Sequence, residues 1–179
     1  VLGYSNALAE TERLIVRDKV VIAEAAFGVG NMFVRADIIR KDGKHIDLIE
    51  VKAKSYNPEK VKWSGEQPSM NVTKDWYEYL YDLAFQKYVI QQALPDYEVH
   101  AYLMMADESC VSDVDNLNQL FKIRKVNGRA TVEVNPKARE ILTESKVQVL
   151  VPVDADTIVN AIIAGSTKEQ PTVLYGRTF

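Results

Sequence analysis

Cysteine is nearly missing: Cys110 stands alone among 179 residues. A single thiol excludes an internal disulfide framework and any multi-cysteine zinc or iron–sulfur site within the chain. It fits a reducing compartment, and a cytoplasmic setting is the expectation. An excess of positive charge is missing too. Lys and Arg total 22 against 25 Asp and Glu, giving a net charge of −3 and a pI near 5.5, so a polyanionic partner would have to be met by a local patch. No apolar run approaches the ~18 residues of a membrane span, and the first residues show no basic stretch leading into an apolar one. The reading is a soluble chain with no membrane partner. Internal repeats, low-complexity tracts and a composition break marking a second domain are likewise not found.

What is present is globular: 47% hydrophobic and 26% charged residues over a length typical of one domain. One domain is therefore expected over 1–179, with a core from about 7 to 134 and a helical extension over 135–179. Ala7 to Val16 reads as a short amphipathic helix, and Val20 to Phe27 as a strand that Gly28 and Gly30 interrupt before Met32 resumes it. After the turn "KDGK" the next strand runs from His45 to about Ala53, and Ser55 to Thr73 reads as a long polar loop. Lys74 to Leu94 is the clearest helix, because Trp76, Leu80, Leu83, Ile90 and Leu94 recur at helical spacing and Pro95 ends it. A strand at Glu98 to Met105, a hairpin about Asn127 and Gly128, and helices at Pro136 to Glu144 and Asp154 to Ala164 complete the expectation.

The stretch "HIDLIEVKAKS" sets charged Glu50 and Lys52 on one face of an otherwise apolar strand. Placing Asp42 and Gly43 at the centre of the preceding turn makes Lys41 face Lys44 and Asp37 face Leu48. Alternate residues share a face, so Asp37, Glu50 and Lys52 converge. Asp37 and Glu50 become diagonal neighbours roughly 7 to 8 Å apart, within reach of one cation. The opposite face, with Ala36, Ile38, Ile49, Val51 and Ala53, is the one expected against a helix layer. Two carboxylates can hold Mg2+ (or Mn2+), with the backbone carbonyl of Val51 as a third ligand, and Lys52 can neutralise charge developing on a phosphate. That combination suits phosphodiester hydrolysis.

These residues resemble the PD-(D/E)XK nuclease superfamily, and within it the RecB-like exonuclease branch, in an uncharacterised bacterial group. Its pattern is an aspartate on one strand, (D/E)-X-K on the next, then a helix with a glutamine and often a tyrosine nearby. Here these are Asp37 in "VRADII", Glu50-Val51-Lys52 in "IEVK", and Gln86 with Tyr88 in "DLAFQKYVI". The likeness spans about Ala7 to Val126. It implies an α/β restriction-endonuclease-like sandwich, a central mixed sheet flanked by helices, and Mg2+- or Mn2+-dependent cleavage of DNA. Asp37, Glu50, Lys52 and Gln86 would be catalytic and Lys54 and Tyr88 would touch substrate. An upstream ligand used by many members has two candidates here, Glu10 and Glu24, and the cysteine set of iron–sulfur members has no counterpart.

Plainer readings stand beside this one. E-X-K on a strand is often a solvated charge pair, Asp82 and Gln86 at i,i+4 can decorate a helix surface, and the tyrosines Tyr77, Tyr79 and Tyr81 spread around their helix. Neither His45 nor His100 finds a second ligand in the sequence, and neither is given a role. Lys54, Lys60, Lys62 and Lys74 offer a local basic patch or merely a wet surface. The expectation is a metal-dependent deoxyribonuclease acting as an exonuclease or a single-strand or flap processing enzyme. Alternatives are a nuclease-fold protein that binds DNA or a protein partner without cleaving, and a metal-dependent site serving RNA.

Overall fold

A computed structural model describes residues 3–57 and 72–166, with short strand pieces at 173–174 and 177–178. Helix α1 (Tyr4–Ile15) leads into β1 (Lys19–Val29), β2 (Met32–Asp42) and β3 (His45–Tyr56); helix α2 (Tyr77–Ala93) then precedes β4 (Glu98–Asp107). A hairpin of β5 (Phe121–Val126) and β6 (Arg129–Val134), helix α3 (Ala138–Glu144), strand β7 (Leu150–Asp154) and helix α4 (Asp156–Ile163) follow. The central sheet has five strands in the order β1-β2-β3-β4-β7. It is mixed: β3 and β4 run parallel and the other pairs antiparallel. The chain is thus α/β with a mixed central sheet flanked by helices.

Glycine sets both tight hairpins. Gly30 and Gly43 each take the first central position of a two-residue turn, between Val29 and Met32 and between Asp42 and His45, with φ of 59°. That is the glycine-first pattern of a type II′ turn. The second turn corrects the expected register. Its centre is Gly43 and Lys44, because only the glycine accepts positive φ at no steric cost, so Asp42 rather than Lys41 opens the ladder. The pairing then runs through Ile39 with Leu48 to Ile38 with Ile49, and one further step sets Asp37 across from Glu50. The shift is by two residues, so the shared face survives.

The face that lies under the helices corrects the expectation in part: Ala36 and Ile49 are buried as expected, but Val51 and Ala53 are not. Strand positions Ile39, Ile46, Leu48, Val99, Ala101, Leu103 and Met105 are all buried. They form one core with Leu80, Leu83, Ala84, Val89 and Ile90 of α2 and Ile158, Val159 and Ile162 of α4. Glu50 and Lys52 sit on this covered side of β3, whereas Val51 is 42% exposed and Ala53 is exposed on the side expected to be covered. Parity alone separates two faces, and α2 selects the charged one because it brings polar groups of its own.

Among the described residues beyond 134 the two expected helices are present as α3 and α4, with a strand between them. Residues Leu150 to Asp154 add edge strand β7 to the central sheet, and α4 starts only at Asp156. Pro152 hides this strand from sequence reading, and an edge strand tolerates a residue without an N–H. Conversely, β5 and β6, counted with the core, form a separate two-stranded sheet whose β5 residues are all exposed. Two buried lysines tie elements together. Lys41 donates to the carbonyls of Arg17 and Asp18 after α1, and Lys87 on α2, 2% exposed, pairs with Asp156 at 2.6 Å and Asn160 at 2.7 Å. No helix among the described residues is long and apolar enough to cross a membrane.

Leu80, fully buried on α2, gives a direct test of this packing. Leu80→Ala should lower unfolding stability by about 2–5 kcal/mol with an unchanged denaturant slope. A loss under about 0.5 kcal/mol, the range of surface substitutions, would mean that α2 does not cover the sheet as described.

Candidate metal-binding acidic site

Strand β3 is released from its neighbours where its charges begin. Pairing to β2 ends at Ile38 with Ile49, and the parallel pairing to β4 slips between Val51 and Ser55, so Lys52 to Lys54 bulge from the ladder. Irregularities of this kind re-aim side chains and gather near working sites. The freed N–H of Val51 is taken by Asp37, whose Oδ2 accepts it at 2.8 Å. On β1, the residue across from Asp37 is Glu24, held at a left-handed φ of 56° between the pairs Ala23 with Ile38 and Ala25 with Ala36. A left-handed conformation is uncommon for a residue with a side chain and marks local strain beside the site.

Glu50 is 7% exposed and keeps both oxygens occupied. Lys52 Nζ donates to Oε1 at 2.8 Å, and Gln86 Nε2 donates to Oε2 at 3.0 Å. Asp82, one turn before Gln86 on α2, closes the group: its Oδ2 lies 3.4 Å from both Lys52 Nζ and Gln86 Nε2. Gln86 is itself 5% exposed, and its Oε1 is buried with no hydrogen-bond partner among the described residues. An unpaired buried acceptor is costly and marks a place for a donor or a cation.

Burial works to lower the pKa of Lys52, but the hydrogen bond and charge of Glu50, with the charge of Asp82, outweigh it and hold the ammonium above its ordinary value. Lys52 is therefore a fixed positive charge at neutral pH and no proton acceptor. Glu50 and Asp82 set two carboxylates against this one ammonium, with the Asp37 carboxylate next to them on the Val51 N–H, an excess of negative charge that a divalent cation relieves. The donor set fits Mg2+ or Mn2+ in kind: hard carboxylate oxygens, the Val51 carbonyl and the orphaned Gln86 amide oxygen.

The remaining expected residues fall at varying distances from this centre. Lys54 follows Lys52 on the same face, but its Nζ donates to the Asp75 carbonyl at 2.8 Å and lies 4.0 Å from the Trp76 ring centre. Tyr79, set aside in the sequence, lies under both lysines, with ring centres 5.5 Å from Lys52 Nζ and 5.3 Å from Lys54 Nζ. Tyr88 is two residues beyond Gln86, some 200° around the helix, and packs partly buried against the core. Glu10 is bound by Arg13 at 2.6 Å on the exposed side of α1, and Glu24 faces Arg35 at 3.7 Å; the two glutamates line one cavity of about 580 Å³ with Arg35. Lys60 and Lys62 lie outside the described residues.

Asp82 is the site residue that sequence reading passed over, and its i,i+4 spacing to Gln86 was the available signal. No model of a known protein family matches the chain, nor does any curated protein or solved structure. The site is therefore read from its own geometry.

Lys52 has a pH signature. A folded-state pKa raised above the unfolded one gives stabilisation that is complete below about pH 10.4 and lost as pH rises through the folded value. The stability margin of wild type over Lys52→Met should hold from neutral pH to about pH 10 and shrink above it. A margin that collapses near neutral pH would contradict the assignment of a charged Lys52.

Proposed function

We propose that the chain is a metal-dependent phosphodiesterase that cleaves DNA, on a sandwich of the restriction-endonuclease type. The observation that carries this reading is the Glu50–Lys52–Gln86 cluster, with the Asp37 carboxylate on the backbone N–H of Val51 between Glu50 and Lys52. The resemblance of "VRADII", "IEVK" and "DLAFQKYVI" to the RecB-like pattern supports it independently.

Asp37, Glu50 and the Val51 carbonyl would hold Mg2+ or Mn2+. When bound, the ion supplies Lewis-acid stabilisation of negative charge at phosphorus. The rest falls to the chain. Lys52, kept protonated, offsets charge that grows on the phosphate oxygens, in a setting dry enough for that to count. Gln86 Oε1, otherwise unpartnered, can accept from a water and fix its orientation for attack. Lys54, beside the Trp76 and Tyr79 rings, offers a cation and apolar faces along which a nucleic-acid strand can lie.

A second reading has one observation in its favour. Both oxygens of Glu50 are already engaged, so the cluster is self-satisfied as it stands, which suits a nuclease-fold protein that binds DNA or a protein partner without cleaving.

Incubation with labelled single- and double-stranded DNA, in Mg2+, Mn2+ or EDTA, separates the two. Cleavage in either metal, abolished by EDTA and reduced on the order of 10²–10³-fold in Asp37→Asn and Glu50→Gln, is the expected result. Asp37→Asn keeps an acceptor for the Val51 N–H, whereas Glu50→Gln keeps one oxygen for two donors, so circular dichroism of each variant must report an intact fold before its turnover is compared. DNA binding without cleavage in any metal would favour the second reading, and unchanged turnover in the variants would remove the site assignment.

A further inference from the structure

The face of the sheet opposite Glu50 carries a second group of metal-type ligands. Parallel pairing sets His45 beside Glu98 and Asp47 beside His100, at the starts of β3 and β4. His45, Glu98 and His100 therefore stand on one face, opposite the face that holds Glu50. His45 Nδ1 lies 3.0 Å from Glu98 Oε2, and His100 Nε2 lies 3.2 Å from Glu98 Oε1. The three ligand atoms all fall within 4.8 Å of one another. Five residues of strand, roughly 16 to 17 Å at 3.3 Å each, separate His45 from Glu50.

We infer that His45, Glu98 and His100 form a binding site for a zinc-type divalent ion. Two imidazole nitrogens and a carboxylate are a ligand set that zinc accepts, with a fourth position left open to solvent or a small ligand. Tetrahedral bonds of about 2.0–2.1 Å place neighbouring ligand atoms roughly 3.3 Å apart, so the three side chains, now within 4.8 Å of one another, would draw together around the ion. A hard ion such as Mg2+, which prefers oxygen ligands in octahedral array, matches this set poorly.

A second feature is independent of the three ligands. His100 presents Nε2 to Glu98 and turns Nδ1 toward Asp156 Oδ2, 3.8 Å away. Asp156 is fixed there, with Oδ1 receiving Lys87 and the Ala101 N–H, and Oδ2 receiving Asn160. A carboxylate hydrogen-bonded behind a histidine orients a metal-bound imidazole and raises its basicity, and Asp156 stands where it would take that role once the pair closes from 3.8 Å to hydrogen-bond distance. Bound zinc would clamp the starts of the two parallel strands, and the position is independent of the acidic site.

The test is zinc binding by the purified full chain, free of any polyhistidine tag and stripped with chelator. Titration calorimetry with ZnCl2 should give one ion per chain, and the thermal unfolding midpoint should rise with zinc concentration. His45→Gln and His100→Gln should each weaken binding at least about tenfold and remove the thermal shift. His45 has a side chain 67% exposed, so His45→Gln should fold as wild type by circular dichroism, and any loss of zinc is then a loss of a ligand. The absence of saturable binding at micromolar zinc would overturn the inference. So would binding that both histidine variants retain, or binding that follows Asp37→Asn instead.

Discussion

Glu50 is a carboxylate held 7% exposed in a sheet beneath a helix, and a charge in that position has to be met by opposite charge and hydrogen bonds. Much of the local architecture answers this requirement. Lys52 meets one oxygen from the same strand, and α2 is packed so that Gln86 meets the other while Asp82 faces the ammonium. The helix that completes the apolar core through Leu80, Leu83 and Ile90 therefore also completes the polar cluster. Removing the helix's polar stripe would leave Glu50 and Lys52 as a buried pair with half its partners gone.

The same arrangement explains why the strand ladder stops where it does. Regular pairing past Ile38 and Ile49 would occupy the Val51 N–H with backbone and hold Asp37 at ladder spacing. Instead the Asp37 side chain takes that N–H, β3 bulges away from β4, and Glu24 across on β1 adopts a left-handed turn of the backbone. Regular structure is given up on three adjoining strands around one point. This loss is the kind that folded chains tolerate where a site is built.

How far the sequence led can be judged residue by residue. The pairing of Glu50 with Lys52, and the place of Asp37 across the end of the ladder, were legible because strand parity is robust to a two-residue slip of the turn. The covered face was legible only in part, since both faces of β3 carry apolar residues and the burial of Glu50 with Ile46 and Leu48 depends on the partners that α2 brings. Strand β7 was obscured by Pro152, whose cost vanishes at an edge. The pairing of His45 with His100 through Glu98 joins residues more than fifty positions apart, and it exists only because β3 and β4 run parallel in that register. No local pattern could announce it.

Manganese binding to the DNA-free protein, followed by electron paramagnetic resonance, asks whether the acidic cluster holds a cation before any substrate is involved. Saturable Mn2+ binding that is lost in Asp37→Asn and retained in His45→Gln is the expected result. No saturable binding, or binding that follows His45→Gln and ignores Asp37→Asn, would contradict it.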